Sequence, residues 1–190
     1  MRTKAKKLPV VLNDMELKKL IAIPNKRYYT GQRNKAMIVA MANLGLRVSE
    51  VVNLKKDNID LTNRKLRVVN GKYSKDRDLI IGPVTAEVLR EWDKRRKGGD
   101  YFFNTSKGKK LQTRYVQAMA ARYAKRAGIK KKVTPHTLRH TFATNFYRQT
   151  KDIETLRSLL GHSDISTTQI YVTLANIDIE NAMKSFREVS

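Results

Sequence analysis

Apolar residues along the chain keep helical spacing at both ends and change rhythm once in the middle. Asn13 suits a helix cap; Met15, Leu17, Leu20 and Ile21 then recur at helical spacing and Pro24 stops the run, predicting a helix from Asn13 to Ile23. Asn34 to Leu46 is almost continuously apolar through Ala36 to Met41, the pattern of a central, largely buried helix. Gly45 bends the chain into a third helix, from Arg47 or Val48 to about Leu54. Between Ile59 and Val84 the rhythm becomes strand-like: Ile59 to Leu61, a Thr62-Asn63-Arg64 turn, Lys65 to Val69, a turn at Gly71, and Asp78 to Ile81. Helical spacing returns over Ala86 to Lys97, Thr113 to Ala127, Pro135 to Thr150, Ile153 to Leu160, Thr167 to Val172 and Ile177 to Phe186. The predicted class is α+β, mostly α-helical, with a small three-stranded antiparallel sheet. The spacing predicts no element between Lys97 and Thr113.

The chain has 190 residues, 41% of them hydrophobic, enough for one substantial core. Lys and Arg number 40 against 17 Asp and Glu, a formal net charge of +23, which points to a polyanionic partner, nucleic acid first. A solvated surface or a ribosome-type structural protein fits that charge too, and charge names no chemistry. Cysteine is absent, which excludes a disulfide framework, thiolate metal sites and a cysteine nucleophile. The run from Leu8 to Leu12 after the basic N-terminus is too short for a signal-peptide core, and no later run spans a bilayer, so a soluble, cytoplasmic protein without membrane partners is expected.

Candidate chemistry concentrates toward the C-terminus. Thr134 and Pro135 suit the cap and first position of a helix, so His136 falls at an N-terminus whose amides favour an anion, with Arg139 one turn on. Leu138, Phe142 and Phe146 give this helix a core side. Asp152 suits the next cap and Gly161 its left-handed terminator, from which His162 emerges. Ser166 with the staple pair Ile165 and Ile170 would fix how the segment bearing Tyr171 enters its helix. Taken alone, Tyr171 is one of eight tyrosines, more often a core-edge residue than a nucleophile.

His136-x-x-Arg139-His140, Leu160-Gly161-His162 and Thr167-Thr168-x-x-Tyr171 together resemble the C-terminal signature of the tyrosine recombinases, the phage integrases and Xer-type enzymes. Upstream, Gly45-Leu46-Arg47-Val48-Ser49-Glu50 is similar to the family's first arginine box. Gly71-Lys72-Tyr73-Ser74-Lys75-Asp76-Arg77 resembles the turn carrying its lysine. The likeness runs from about residue 8 to 188 and implies the catalytic-domain fold of these DNA breaking and rejoining enzymes. It also implies a site-specific recombinase or integrase activity, in which Tyr171 attacks a backbone phosphate and becomes its transient 3′-phosphotyrosyl ester.

In those terms Arg47 and Arg139 hold the phosphate oxygens, His136 takes the tyrosine proton, Lys72 protonates the leaving 5′ oxygen and His162 hydrogen-bonds the phosphate. Glu50 orients its neighbours, unless it forms only a helix-face salt bridge. His140 is the mainly structural member. The ester conserves the energy of the broken bond, so no cofactor, nucleotide or metal is called for.

All three histidines fall in this region, which leaves open a zinc nuclease ligated by His136, His140 and His162, although Thr137 stands where a zincin-type motif has Glu. A non-catalytic DNA-binding module is the other alternative. The expected organisation is a basic arm over 1–12, a catalytic domain over 13–175, and a C-terminal helix and tail over 176–190 that docks on a neighbouring subunit or on its own. Double-stranded DNA is the expected partner, with a homo-tetramer on DNA and a monomer when free. Family members usually carry a core-binding domain ahead of the catalytic one; none is expected within these 190 residues, as in a fragment or a minimal form.

Overall fold

The structure is a computed structural model and describes residues 8–69, 76–161 and 168–185. Lys72, His162, Ile165, Ser166 and Thr167 lie outside the described residues.

Helix α1 (Asp14–Ala22) starts on a capping box in which Asn13 Oδ1 accepts the Glu16 amide and Glu16 accepts the Asn13 amide. Helix α2 (Tyr29–Leu44) begins five residues earlier than its apolar run predicts, because the buried side chains of Arg33 and Asn34 pack inward with polar partners of their own. Arg33 donates to the Asn104 carbonyl and to the Tyr115 hydroxyl, and Asn34 donates to the Tyr123 hydroxyl. Polar atoms satisfied in this way cost little to bury, so a helix can extend beyond its hydrophobic stripe. Its apolar stretch is the buried centre of the domain and packs on α4 and α6, as its composition predicts.

Helix α3 (Val48–Asn53) leads through a short 3₁₀ turn to β1 (Ile59–Asp60), β2 (Lys65–Val68) and β3 (Arg77–Ile80). These form the expected antiparallel sheet in the order β1-β2-β3, with Leu66 opposite Leu79 and Val68 opposite Arg77. Leu66, Val68 and Leu79 point into the core, while Ile80 faces out.

Next come α4 (Pro83–Asp93), α5 (Thr113–Arg126), α6 (Pro135–Thr150), α7 (Ile153–Leu160) and α8 (Gln169–Ser185). Two expectations change. Between α4 and α5, Phe102 and Phe103 are fully buried, Tyr101 bridges Lys55, and Trp92 donates to the Phe102 carbonyl at 2.9 Å. This segment contributes core without forming a regular element. The C-terminus holds one helix running through residue 175, where two short helices were expected. The N-terminal segment is docked at its end: Leu12 is buried and its amide donates to Thr141 of α6 at 3.0 Å. Among the described residues no helix is long and apolar enough to cross a membrane.

Beside the main core lies a smaller one made of Ala143, Leu156, Leu160 and Tyr171, packed against Phe142, Phe146, Ile170 and Leu174. It joins α6, α7 and α8, the elements predicted to carry the chemistry.

Candidate active site

The site begins where two helices end and two begin. Gly45, just past α2, has φ of +64°, and a Cβ there would meet the Phe142 ring at 2.4 Å, so only glycine fits the turn. The turn aims the Gly45 carbonyl at Arg139, which donates to it at 2.6 Å and to the Leu160 carbonyl at 2.6 Å. Arg139 reaches this point from the second turn of α6, whose start is fixed by the Thr134–Thr137 capping box and Pro135. It is therefore a buried arginine, although it lies outside the Leu138, Phe142 and Phe146 core side read from the sequence. His136, at the beginning of the same helix, is exposed.

Arg47 precedes α3, and Glu50 accepts both its amide at 2.7 Å and its guanidinium at 3.0 Å. The same carboxylate takes a two-pronged contact from Arg77 at 2.8 and 2.9 Å and lies 3.9 Å from Arg139. The three arginines also share the end of α7. Arg77 donates to the Leu159 carbonyl at 2.7 Å, Arg139 to Leu160 and Arg47 to Gly161 at 3.3 Å. Carbonyls in the last turn of a helix have no partner within it and sit at the negative end of its dipole, so they suit cations. One carboxylate and three successive carbonyls thus gather three guanidiniums.

Among the described residues, three cations of this cluster, Arg47, Arg77 and Arg139, share the Glu50 carboxylate. Burial pushes the Glu50 carboxyl up, but the Arg77 contacts, the Arg47 amide and Arg139 outweigh it and hold Glu50 below its ordinary range. Burial and the Arg47 charge lower Arg139 to about 10, partly offset by Glu50, and it stays charged at neutral pH. Arg47 is the most exposed of the three, at 31% of its side chain against 6% for Arg139 and 7% for Arg77. Arg47 is thus the arginine best placed to meet a ligand from solvent.

Tyr171 lies in the first turn of α8, its amide donating to the Thr168 carbonyl at 3.0 Å. It is 2% exposed, and its hydroxyl lies 2.9 Å from Nδ1 of His140. Burial, with His136 and Arg139 nearby, lowers His140 to about 4, so the imidazole is neutral at neutral pH. In the tautomer protonated at Nε2, it accepts the tyrosine O–H. Burial raises the Tyr171 hydroxyl above its ordinary value, and the charges of Arg139 and Arg47 oppose that shift.

The structure therefore brings Tyr171, His140, Arg139, Arg47 and Glu50 together. The zinc alternative set His140 around a shared ion, but its Nδ1 faces Tyr171 instead. Arg77 is the member that sequence reasoning missed. Its signal was strand parity: Arg77 alternates with Leu79 and Ile81, both buried, and an inward arginine requires an acid.

The sequence matches the phage integrase family over residues 11–176. The chain belongs to the phage integrase family. Its relatives include tyrosine recombinase XerD of Ralstonia nicotianae, 38% identical over 89% of this chain and 57% of the relative. Tyrosine recombinase XerA of Thermococcus kodakarensis is 37% identical over 94% of this chain and 62% of the relative. The chain spans less than two-thirds of the length of either. Among solved structures of this family, a XerA recombinase superposes with a TM-score of 0.82 at 32% identity, covering 97% of this chain and 68% of the other. XerH bound to a palindromic difH substrate, in a post-cleavage complex, gives 0.81 at 29% identity, covering 96% and 54%. The fold is that of the tyrosine recombinases.

Proposed function

We propose that this chain is the catalytic part of a site-specific DNA recombinase, cutting and rejoining double-stranded DNA through Tyr171. The observation that carries the reading is the setting of one tyrosine hydroxyl. It touches a neutral imidazole and feels the charges of Arg139 and Arg47, which the Glu50 carboxylate and the carbonyls ending α7 help to hold in place. That XerH was captured with its DNA substrate after cleavage supports the same reading.

The tyrosine oxygen attacks the scissile phosphorus, a Tyr171–phosphate bond forms, and the bond to the 5′ oxygen breaks. The tyrosine proton passes to a histidine, and the leaving oxygen gains a proton from Lys72. Arg47 and Arg139 neutralise the non-bridging oxygens as charge builds, and His162 hydrogen-bonds the phosphate. Reversal by a new 5′ hydroxyl restores the diester. The bond energy stays in the ester, so this cycle needs neither nucleotide nor metal.

At 2% exposure, Tyr171 must come outward to meet a phosphate. His140 is then its partner at rest, and His136, exposed at the start of α6, is the base in the assembled complex. Arg114, Arg122, Lys125, Lys130 and Lys132 on and after α5 are exposed, a row of cations suited to backbone phosphates beyond the scissile one. The working unit is four copies on two duplexes, with the free chain a monomer.

The test incubates the chain with a pool of nicked duplexes of randomised sequence, in which cleavage near the nick releases a short fragment and strands the enzyme on DNA. A denaturant-resistant adduct is expected, and none from Tyr171→Phe. Absence of an adduct from the wild-type chain overturns the proposal. Exchange of strands between two recovered duplexes separates recombination from simple relaxation of supercoils.

A further inference from the structure

We propose that Arg77 is a positioning residue for phosphodiester cleavage: it holds the Glu50 carboxylate so that Arg47 and Arg139 present their charge to the scissile phosphate. The inference rests on the recombinase reading and adds to it a residue outside the expected catalytic set.

Geometry keeps Arg77 away from the reacting atoms. Its side chain is 7% exposed, both terminal nitrogens lie on Glu50 at 2.8 and 2.9 Å, and Nε donates to the Leu159 carbonyl at 2.7 Å. The chain around it is built to its shape. Val68 pairs with it across the sheet, and at Gly161, where φ is +61°, an added Cβ would lie 3.2 Å from its Nη1 and 3.4 Å from its Cδ.

Two effects on the phosphate follow. The first is orientation. A carboxylate offers about four lone-pair directions. Arg77 fills one on each oxygen, and the Arg47 guanidinium and amide fill the others. Without Arg77 the Glu50 plane is held from the Arg47 side alone, so the carboxylate and the Arg47 guanidinium that shares it are less closely fixed. The second effect is charge. Arg77 neutralises the carboxylate from the buried side, so the two arginines beside Tyr171 spend less of their charge on Glu50 and more on an incoming anion. The bidentate fork is specific to arginine, and lysine supplies charge without the plane.

The experiment measures single-turnover cleavage of a nicked duplex, selected from the randomised pool by the wild-type chain, alongside DNA affinity. Each is measured with an ordinary scissile phosphodiester and with a methylphosphonate, in which one charged oxygen is replaced by methyl. Arg77→Ala is expected to slow phosphodiester cleavage about 100-fold, the scale of an ångström-level misplacement. Its DNA affinity should stay within about threefold, and the loss should shrink on the methylphosphonate, which asks less of the arginines. Arg77→Lys, which keeps the charge and is the variant to use if alanine does not fold, is expected to be intermediate and to show the same selectivity. Equal losses on both substrates would mean a merely structural role and overturn the proposal, as would wild-type rates in either folded variant.

A wild-type chain that forms no adduct overturns the recombinase reading and with it any effect of Arg77 on cleavage, leaving the grip of Arg77 on Glu50 to be tested separately. Arg77 is then read from the carboxyl titration of Glu50 by NMR, which Arg77→Lys moves upward if the fork holds the carboxylate and leaves in place if it does not.

Discussion

The hydroxyl of Tyr171 and Nδ1 of His140 lie 2.9 Å apart inside the small core formed by α6, α7 and α8. The expected nucleophile therefore rests against an uncharged imidazole, protected from solvent and still within the field of two arginines. Its pairing with His140 has consequences for stability that can be measured without DNA.

Folding favours neutral His140, lowered to about 4 against an ordinary value of about 6.5. As pH falls, the unfolded chain takes up the proton first, so this contribution is complete above about pH 6.5 and is lost progressively toward pH 4. Urea midpoints of wild type and His140→Asn, measured from pH 7 to 4, are expected to diverge at pH 7 and converge toward pH 4. Glu50, held below its usual 4.5, adds a further acid loss at lower pH that both proteins share.

Tyr171 is shifted the other way. Its raised value means that the unfolded chain ionises first, so stability falls as pH rises above about 10. Subtracting the ultraviolet titration of Tyr171→Phe from that of the wild type should isolate one tyrosine titrating above the ordinary value. The variant should keep the fold and lose about 1 kcal/mol, the worth of one hydrogen bond.

Gly45→Ala should destabilise the domain by about 2 kcal/mol, from the unfavourable φ and from overpacking against Phe142. Because the Gly45 carbonyl holds Arg139, the cleavage rate should fall with it. Stability measured by urea, together with the rate of adduct formation, tests both; a neutral substitution would mean that the turn is not fixed as described.

Glu50→Gln removes a carboxylate shared by two buried arginines, Arg77 and Arg139, and by the partly exposed Arg47. Uncompensated buried charge of this kind costs about 3–5 kcal/mol, and that loss should appear at neutral pH and diminish as pH falls and the wild-type carboxylate is itself protonated. Equilibrium unfolding across that range is the check.

The helices and strands were legible wherever local rules set them. Asn13, Thr134, Pro135, Asp152 and Gly161 mark boundaries through caps and terminators that act within a few residues, and each is found at the predicted end. Gly45 was legible as a bend but not as a ligand, since no local pattern tells that its carbonyl meets a side chain 94 positions away. Arg77 was hidden for the same reason: its partner Glu50 is 27 residues distant and on another element. Phe102 and Phe103 escaped because their segment is held by tertiary contacts and has no periodicity of its own. Of the expected site, Tyr171, Arg47, Arg139 and Glu50 meet, while the hydroxyl's partner is His140, the histidine expected to be structural, and not His136. Sequence spacing puts both histidines on one helix and cannot decide which of them faces α8.

The central claim, that Tyr171 becomes joined to DNA, is tested most directly by isolating the adduct formed in excess chelator, digesting it, and identifying the modified peptide and the DNA end it carries. The expected result is a single peptide containing Tyr171, linked to the 3′ phosphate, at a yield that the chelator does not change. Linkage through another residue, linkage to a 5′ phosphate, or loss of the adduct in chelator would contradict it.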